Sequence, residues 1–193
     1  MKTLIRCNWA QHSRQMQQYH DEEWGVPQHN DQKLFEMLTL EGAQAGLSWS
    51  TILNRRQGYR KAFKNFNVSL ISKFNDEDIE SLMNNRNIIR NRLKIKSTIT
   101  NAKAFIKVQR EFHSFDNYIW SFSNKKTIIN NFNKLVDVPA ENILSNEISK
   151  DLKKRGFTFV GPTITYAFMQ SIGIVNDHLS SCFFKKNQLK NFK

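Results

Sequence analysis

Lys153-Lys154-Arg155-Gly156-Phe157-Thr158-Phe159-Val160-Gly161-Pro162-Thr163 holds a helix stop and a helix start, separated by a few residues. Basic side chains in a last turn suit the carbonyl end of a helix, and a glycine just beyond supplies the left-handed cap. Gly161-Pro162 opens a second helix, because proline at the first helical position has no N–H to leave unpaired. Upstream, Ser145 is placed to cap a helix that buries Ile148 and Leu152; downstream, the periodic stretch from Thr163 to Ile172 runs to Gly173. The segment Phe157 to Gly161 is therefore expected to form a tight hairpin with Phe159 and Val160 tucked beneath it. The free amides at the start of the second helix would face outward, where a phosphate binds well. Such a hairpin grips a DNA backbone without reading sequence, here through Phe159, Val160, Gly161 and Thr163. Any pair of packed helices needs a similar glycine, so this stretch alone leaves a plain structural hairpin open.

Helical signals also dominate away from the hairpin. Asp31 to Arg56 begins on a good cap residue and places Leu34, Leu38 and Ala45 at helical spacing, with Gly42 and Gly46 dividing it into two helices. Asn75 is followed by Asp76, Glu77 and Asp78, which favour a helix start that runs through Leu82. A long helix from about Asn87 to Arg110 has one apolar side (Ile89, Leu93, Ala102, Ile106). Its other side is basic (Arg90, Arg92, Lys94, Lys96, Lys103, Lys107, Arg110), either to meet a polyanion or simply to be solvated. Phe115, Tyr118, Ile119 and Phe122 read as a buried stripe, and the Asn- and Lys-rich Ser123–Asn146 segment as a loop. With no hairpin dipeptide and no sustained alternation, strands are not expected, and the fold class is all-α. No linker divides the chain, so residues 1–193 are expected to form one domain with its core at about 6–184 and a basic C-terminal tail at 185–193.

The chain has 29 Lys and Arg against 17 Asp and Glu, a net charge of +12. An excess of this size draws polyanions, of which nucleic acid is the commonest, although a Lys-rich solubilising surface has the same sign. No signal peptide and no membrane-length apolar run is present, which points to a cytoplasmic protein without membrane association. Cys7 lies ahead of His20 near one end of the chain, and His178 and Cys182 lie one helical turn apart near the other. Two thiols and two imidazoles make the S₂N₂ set that zinc prefers, and if both halves meet, one ion joins the termini. A Cys7–Cys182 disulfide is the alternative, disfavoured in a reducing compartment.

Leu34, Leu38 and Glu41 follow one another at +4 and +3, so a carboxylate falls on the inward face of the helix. Burying it costs several kcal/mol unless it has a partner, structural or functional. Trp49 follows just past Gly46 and Ser48, where a small-residue turn would hold the indole near the carboxylate. An anionic acceptor beside a flat aromatic is what a pocket for a cationic purine needs. Tyr19 precedes His20, so fixing one fixes the other, and Trp9 and Trp24 flank the region as core or wall.

Six ordered motifs then carry a resemblance over nearly the whole chain: Cys7-Asn8-Trp9; Tyr19-His20-Asp21 with Glu23-Trp24-Gly25-Val26-Pro27; Leu40-Glu41-Gly42 through Ala45-Gly46-Leu47-Ser48-Trp49; Ile88-Ile89-Arg90-Asn91-Arg92; Lys154-Arg155-Gly156-Phe157 with Phe159-Val160-Gly161; and Val175-Asn176-Asp177-His178 ending at Cys182. In these the chain resembles the DNA-3-methyladenine glycosylase I family. The resemblance implies an all-helical, helix–hairpin–helix glycosylase, a monomer acting on double-stranded alkylated DNA. It also implies one structural Zn²⁺ held by Cys7, His20, His178 and Cys182. Glu41 and Tyr19 would hydrogen-bond a flipped 3-methyladenine, Trp49 would stack on it, and Trp9 and Trp24 would complete the wall.

Two departures stand out. Family members carry an Asp-Pro-Leu-Tyr run before the Tyr-His pair, whereas here Ser13-Arg14-Gln15-Met16 puts Met16 in the pocket where a further tyrosine is expected. The position of the catalytic aspartate in related hairpin glycosylases is the neutral Asn176, and Asp177, if helical, would point about 100° away. No lysine is placed for a Schiff base, so hydrolysis of the N-glycosidic bond without a lyase step is expected. Two rival readings remain: a DNA-binding module without chemistry, and a zinc hydrolase.

Overall fold

The computed structural model describes residues 4–185, so all of the expected basic tail beyond Lys185 lies outside the described residues. Ten helices occur among them: α1 Arg14–Glu22, α2 Asp31–Gln44, α3 Trp49–Leu53, α4 Arg56–Ala62, α5 Val68–Ile71, α6 Asp76–Asn84, α7 Arg92–Phe112, α8 Phe115–Ser121, α9 Ile143–Lys154 and α10 Pro162–Ser171. Among the described residues no helix is long and apolar enough to cross a membrane. The expectation of no strands is corrected, since Ile128–Ile129 (β1) pairs in parallel with Val175–Asn176 (β2). Two residues per strand leave no room for a readable alternation. This pairing puts Asn176 on a strand, and His178 and Cys182 span a turn closed by the Cys182 amide on the Leu179 carbonyl at 2.8 Å rather than a helical turn.

Helix α2 forms the centre of the fold, buried without a break from Leu34 to Ala43. Its start differs from expectation: the Asn30 side chain caps it, accepting from the Lys33 amide at 3.1 Å. Asp31 instead accepts from the Phe115 and Asp116 amides, both at 2.9 Å, and so serves the start of α8. At the far end, Lys94 donates to the carbonyls of Ala43 and Ala45 at 2.8 and 2.6 Å. Lys94 therefore does not belong to a solvated basic stripe; it satisfies the carbonyl end of α2, where a cation also suits the helix dipole. Within α7 the buried face is Ile95, Ile99, Ala102 and Phe105, while Leu93, expected inside, is 68% exposed.

The hairpin between α9 and α10 forms as read, with the first helix starting earlier. Asn142 is the cap, and Ser145 completes a capping box at the third helical position. Polar backbone within the hairpin is satisfied from both sides: Ser149 donates to the Val160 carbonyl at 2.6 Å, and Asn101 of α7 brackets Thr158 through its carbonyl (3.0 Å) and amide (2.8 Å). Val160 is buried as expected, whereas Phe159 is half-buried and packs on α2, where a Cβ on Gly42 would sit 3.4 Å from the Phe159 Cβ. The hairpin is thus locked to the helix that carries Glu41.

The end of α10 is fitted to the Glu23–Pro27 turn in the same way. Gly173 has φ +76°, and a Cβ there would lie 2.4 Å from the Val26 carbonyl carbon. Substituting Gly173→Ala combines that clash with left-handed backbone strain and should cost on the order of 2 kcal/mol or more in urea unfolding. A midpoint equal to wild type would show that the two segments are not in contact.

Candidate active site and metal centre

The two ends of the chain meet as the cysteine and histidine spacing suggested. Cys7, His20, His178 and Cys182 are buried, and one donor atom from each lies within 4.8 Å of all the others. Cys182 Sγ is 3.5 Å from His20 Nε2 and 3.6 Å from His178 Nδ1, and Cys7 Sγ is 3.9 Å from His178 Nδ1. A tetrahedral ion with Zn–S near 2.3 Å and Zn–N near 2.0 Å separates sulfur from nitrogen by roughly 3.5 Å, so the cluster has the dimensions of a metal site. Both cysteines are free, and the disulfide reading falls away.

Surrounding groups fit the same purpose. His20 uses its other nitrogen on Asp21 at 2.8 Å, and Asp21 is clamped in turn by Arg6 at 2.7 Å. His178 turns Nε2 to the Trp24 carbonyl at 2.9 Å, and the Leu179 amide points at Cys7 Sγ at 3.5 Å. Carboxylate and carbonyl partners of this kind fix the histidine tautomers so that the inward nitrogens carry their lone pairs toward the cluster, where the Cys7 amide also approaches His20 Nε2 at 3.3 Å. These four side chains could hold a metal ion.

The cluster also touches the walls of a cavity of about 560 Å³. Trp9 packs edge-on to His20 with centroids 5.3 Å apart, and Trp24 edge-on to His178 at 4.7 Å. Trp9, Met16, Tyr19, Trp24, Glu41 and Trp49 all line that cavity, so the structure gathers every base-pocket residue named from the sequence. Tyr19 and Trp49 rings lie 5.0 Å apart at 48°. The Tyr19 hydroxyl has no hydrogen-bond partner among the described residues, and the buried Trp49 indole N–H has none either.

Sequence reasoning missed the opposite wall, made by Leu135, Val138, Pro139 and Ala140 and by Tyr166, Ala167 and Gln170 of α10. Tyr166 and Gln170 sit one turn apart on one face, which was the available signal. Beneath them Asp177 is 1% exposed and does not line the cavity. Thr163 lines the cavity at the start of α10, exposed, with its hydroxyl donating to Glu141 at 3.3 Å. Pro162 stands at the first position of that helix, and no side chain caps it.

Two glutamates of α2 show how this interior treats charge. Glu36 and Glu41 are 3% and 4% exposed. Burial raises the pKa of Glu36, but the charges and hydrogen bonds of Arg56 and Arg60 outweigh it and hold the group below its ordinary range. Among the described residues Glu41 has no such cation; burial pushes it up to about 8, and the Ser171 hydroxyl, which donates to the Phe168 carbonyl at 2.9 Å, offsets this only in part. Tyr19 is likewise raised, by burial first and then by the Glu41 charge. At pH 7 Glu41 is therefore held largely protonated, rather than as the standing anion read from the sequence.

A carboxyl group in an aromatic slot with a stacking face is the kind of site found in proteins that act on flipped nucleobases. Residues 9–186 match the family described as methyladenine glycosylase. The chain is 46% identical over 177 residues to the DNA-3-methyladenine glycosylase of Haemophilus influenzae, covering 92% of this chain and 96% of that relative. It is 44% identical over 179 residues to DNA-3-methyladenine glycosylase 1 of Escherichia coli K12, covering 93% and 96%. Among solved structures it matches, with a TM-score of 0.90 and 31% identity over 93% of this chain and 97% of that one, a tyrosine-to-phenylalanine variant of a 3-methyladenine DNA glycosylase I in complex with 3-methyladenine. The chain belongs to the methyladenine glycosylase family.

Raising a carboxyl pKa by burial makes stability depend on pH with a definite sign. Stability from the protonated form is complete below the ordinary 4.5 and is lost as pH rises toward about 8. The Glu41→Gln variant has no such loss. It should be more stable than wild type by a margin that opens above pH 4.5, grows to on the order of a few kcal/mol and levels off beyond pH 8. Thermal unfolding of both proteins from pH 4 to 9 checks this, and a constant margin would mean that Glu41 does not titrate in that window.

Proposed function

We propose that this protein is a monofunctional DNA glycosylase that flips 3-methyladenine out of alkylated double-stranded DNA and hydrolyses its N-glycosidic bond. The products are the free base and an abasic site. The observation that carries the reading is Glu41: a buried carboxyl group without a cation, set in an aromatic cavity, is complete only when a positive ligand arrives. An adenine alkylated at N3 while still attached to deoxyribose is such a cation.

In this reading the lesion stacks on Trp49 while Glu41, as it gives up its proton, and Tyr19 take hydrogen bonds from the base. Trp9, Trp24 and Met16 close the wall. Pairing with the base cation repays the burial of the carboxylate, so a neutral adenine gains less from the site. The positive charge on the base collapses as the glycosidic bond breaks, so the leaving group needs little further help. Water bonds to the anomeric carbon of the sugar as the C–N bond breaks, the bonding electrons leave with the now neutral base, and the water's surplus proton passes to solvent. Phe159, Val160, Gly161 and Thr163 are assigned to hold the DNA backbone at the hairpin, the helix–hairpin–helix element of the fold. Phe159 and Val160 shape the hairpin from beneath, and the exposed Thr163 and the α10 amides meet the phosphate. Residues 1–193 are taken as one domain working as a monomer in the cytoplasm.

For the metal we propose Zn²⁺, since two thiolates and two imidazoles make a donor set it favours. With four protein ligands the ion's shell is closed, and its contribution is a cross-link between the ends of the chain. The histidines hold the pocket in place through Trp9 and Trp24.

Purified wild type should release free 3-methyladenine from methylated DNA, and Glu41→Ala and Trp49→Ala should each lose roughly tenfold or more in rate. Undiminished release by both variants would remove the pocket assignment. Metal analysis should find about one zinc per wild-type chain and little in Cys182→Ser; equal zinc in both would dismiss the ligand set.

A further inference from the structure

Asp177 is the one fully buried carboxylate beneath the pocket that the proposed chemistry leaves unused. Its Oδ2 accepts from the Tyr166 hydroxyl and from Gln170 Nε2, both at 2.8 Å, and its Oδ1 accepts from Asn130 Nδ2 at 2.7 Å. With three donors on it and 1% exposure it is in no position to meet a sugar. Tyr166 and Gln170, however, both line the cavity.

A carboxylate accepts and cannot donate, so the Gln170 amide must turn its NH₂ toward Asp177. The amide oxygen is then directed the other way, and it has no hydrogen-bond partner among the described residues. The backbone holds this residue as well, because the Gln170 carbonyl accepts from the Gly25 amide at 2.9 Å. The part of the cavity wall that α10 supplies is thereby given an oriented acceptor. An acceptor suits a purine edge that carries an amino group and repels one that carries a carbonyl oxygen, which is the difference between adenine and guanine at the six position of the ring.

Resting on the glycosylase reading, we propose that Asp177 is a positioning residue for base selectivity: by fixing the Gln170 amide with its oxygen toward the cavity, it favours 3-methyladenine over 3-methylguanine. Asn at position 177 can donate as well as accept, so the amide is no longer held one way round. Met at position 170 keeps the bulk and removes the amide.

The test is release of both bases from one methylated DNA preparation, with rates compared for wild type, Asp177→Asn and Gln170→Met. The ratio of 3-methyladenine to 3-methylguanine release should fall by roughly tenfold in both variants, the worth of exchanging one favourable neutral hydrogen bond for an unfavourable contact. Equal slowing of both bases with the ratio kept would show a merely structural role and overturn the proposal. So would an unchanged ratio in either folded variant. If Asp177→Asn fails to fold, the ratio in Gln170→Met decides alone. Wild type that releases neither base would contradict the glycosylase reading itself, an outcome distinct from a wild type that is active and variants that keep its ratio.

Discussion

A buried carboxyl group without a counter-ion is the constraint around which this molecule is arranged. Helix α2 carries two buried carboxyl groups, and the interior neutralises only one: Glu36 lies against Arg56 and Arg60, and Arg56 in turn grips Glu23 at 2.6 and 2.7 Å. Glu41 is left to be neutralised by a proton or by a ligand. A fold that keeps such a group gives up stability to do so, and the remaining helices must hold α2 firmly enough to bear the cost.

They do so from three directions. Lys94 caps the carbonyl end of α2, the hairpin presses Phe159 against Gly42, and the walls facing Glu41 are braced by the joined ends of the chain. Cys7 and Cys182 lie far apart in sequence, yet their histidine partners sit against the indoles that shape the cavity. The cluster stands outside the cavity lining, so its influence on the site is through position. Of the cavity lining, Met16 and Tyr19 come from α1, Glu41 from α2 and Trp49 from α3, while Tyr166, Ala167 and Gln170 come from α10 and Leu135, Val138, Pro139 and Ala140 from the segment after β1.

What could be read in advance followed from local chemistry. Helix stops and starts around Gly156 and Pro162, the paired Cys and His residues, and a glutamate in an apolar stripe each carry their meaning within a few residues. Features set by distant contacts could not be read in this way. Lys94 looks like one more basic residue of α7 until α2 ends beside it. Asp31 looks like the cap of its own helix, yet it caps α8. The segment Leu135–Ala140 shows no periodicity, and it becomes a pocket wall because β1, just upstream, pairs with β2. Asp177, if helical, would point about 100° from Asn176; in the structure it lies just past a strand, buried under Tyr166 and Gln170 and outside the cavity lining.

Proton exchange on binding addresses the role of Glu41 most directly. Calorimetric titration with a 3,9-dialkylated adenine, a purine of fixed positive charge, in buffers of different ionisation enthalpy counts the protons released. With Glu41 pushed up to about 8 by burial, binding at pH 7 should release close to one proton. The release should fade above pH 9 and be absent in Glu41→Gln. Binding at pH 7 with no proton released would contradict a neutral Glu41 that ionises to meet the base.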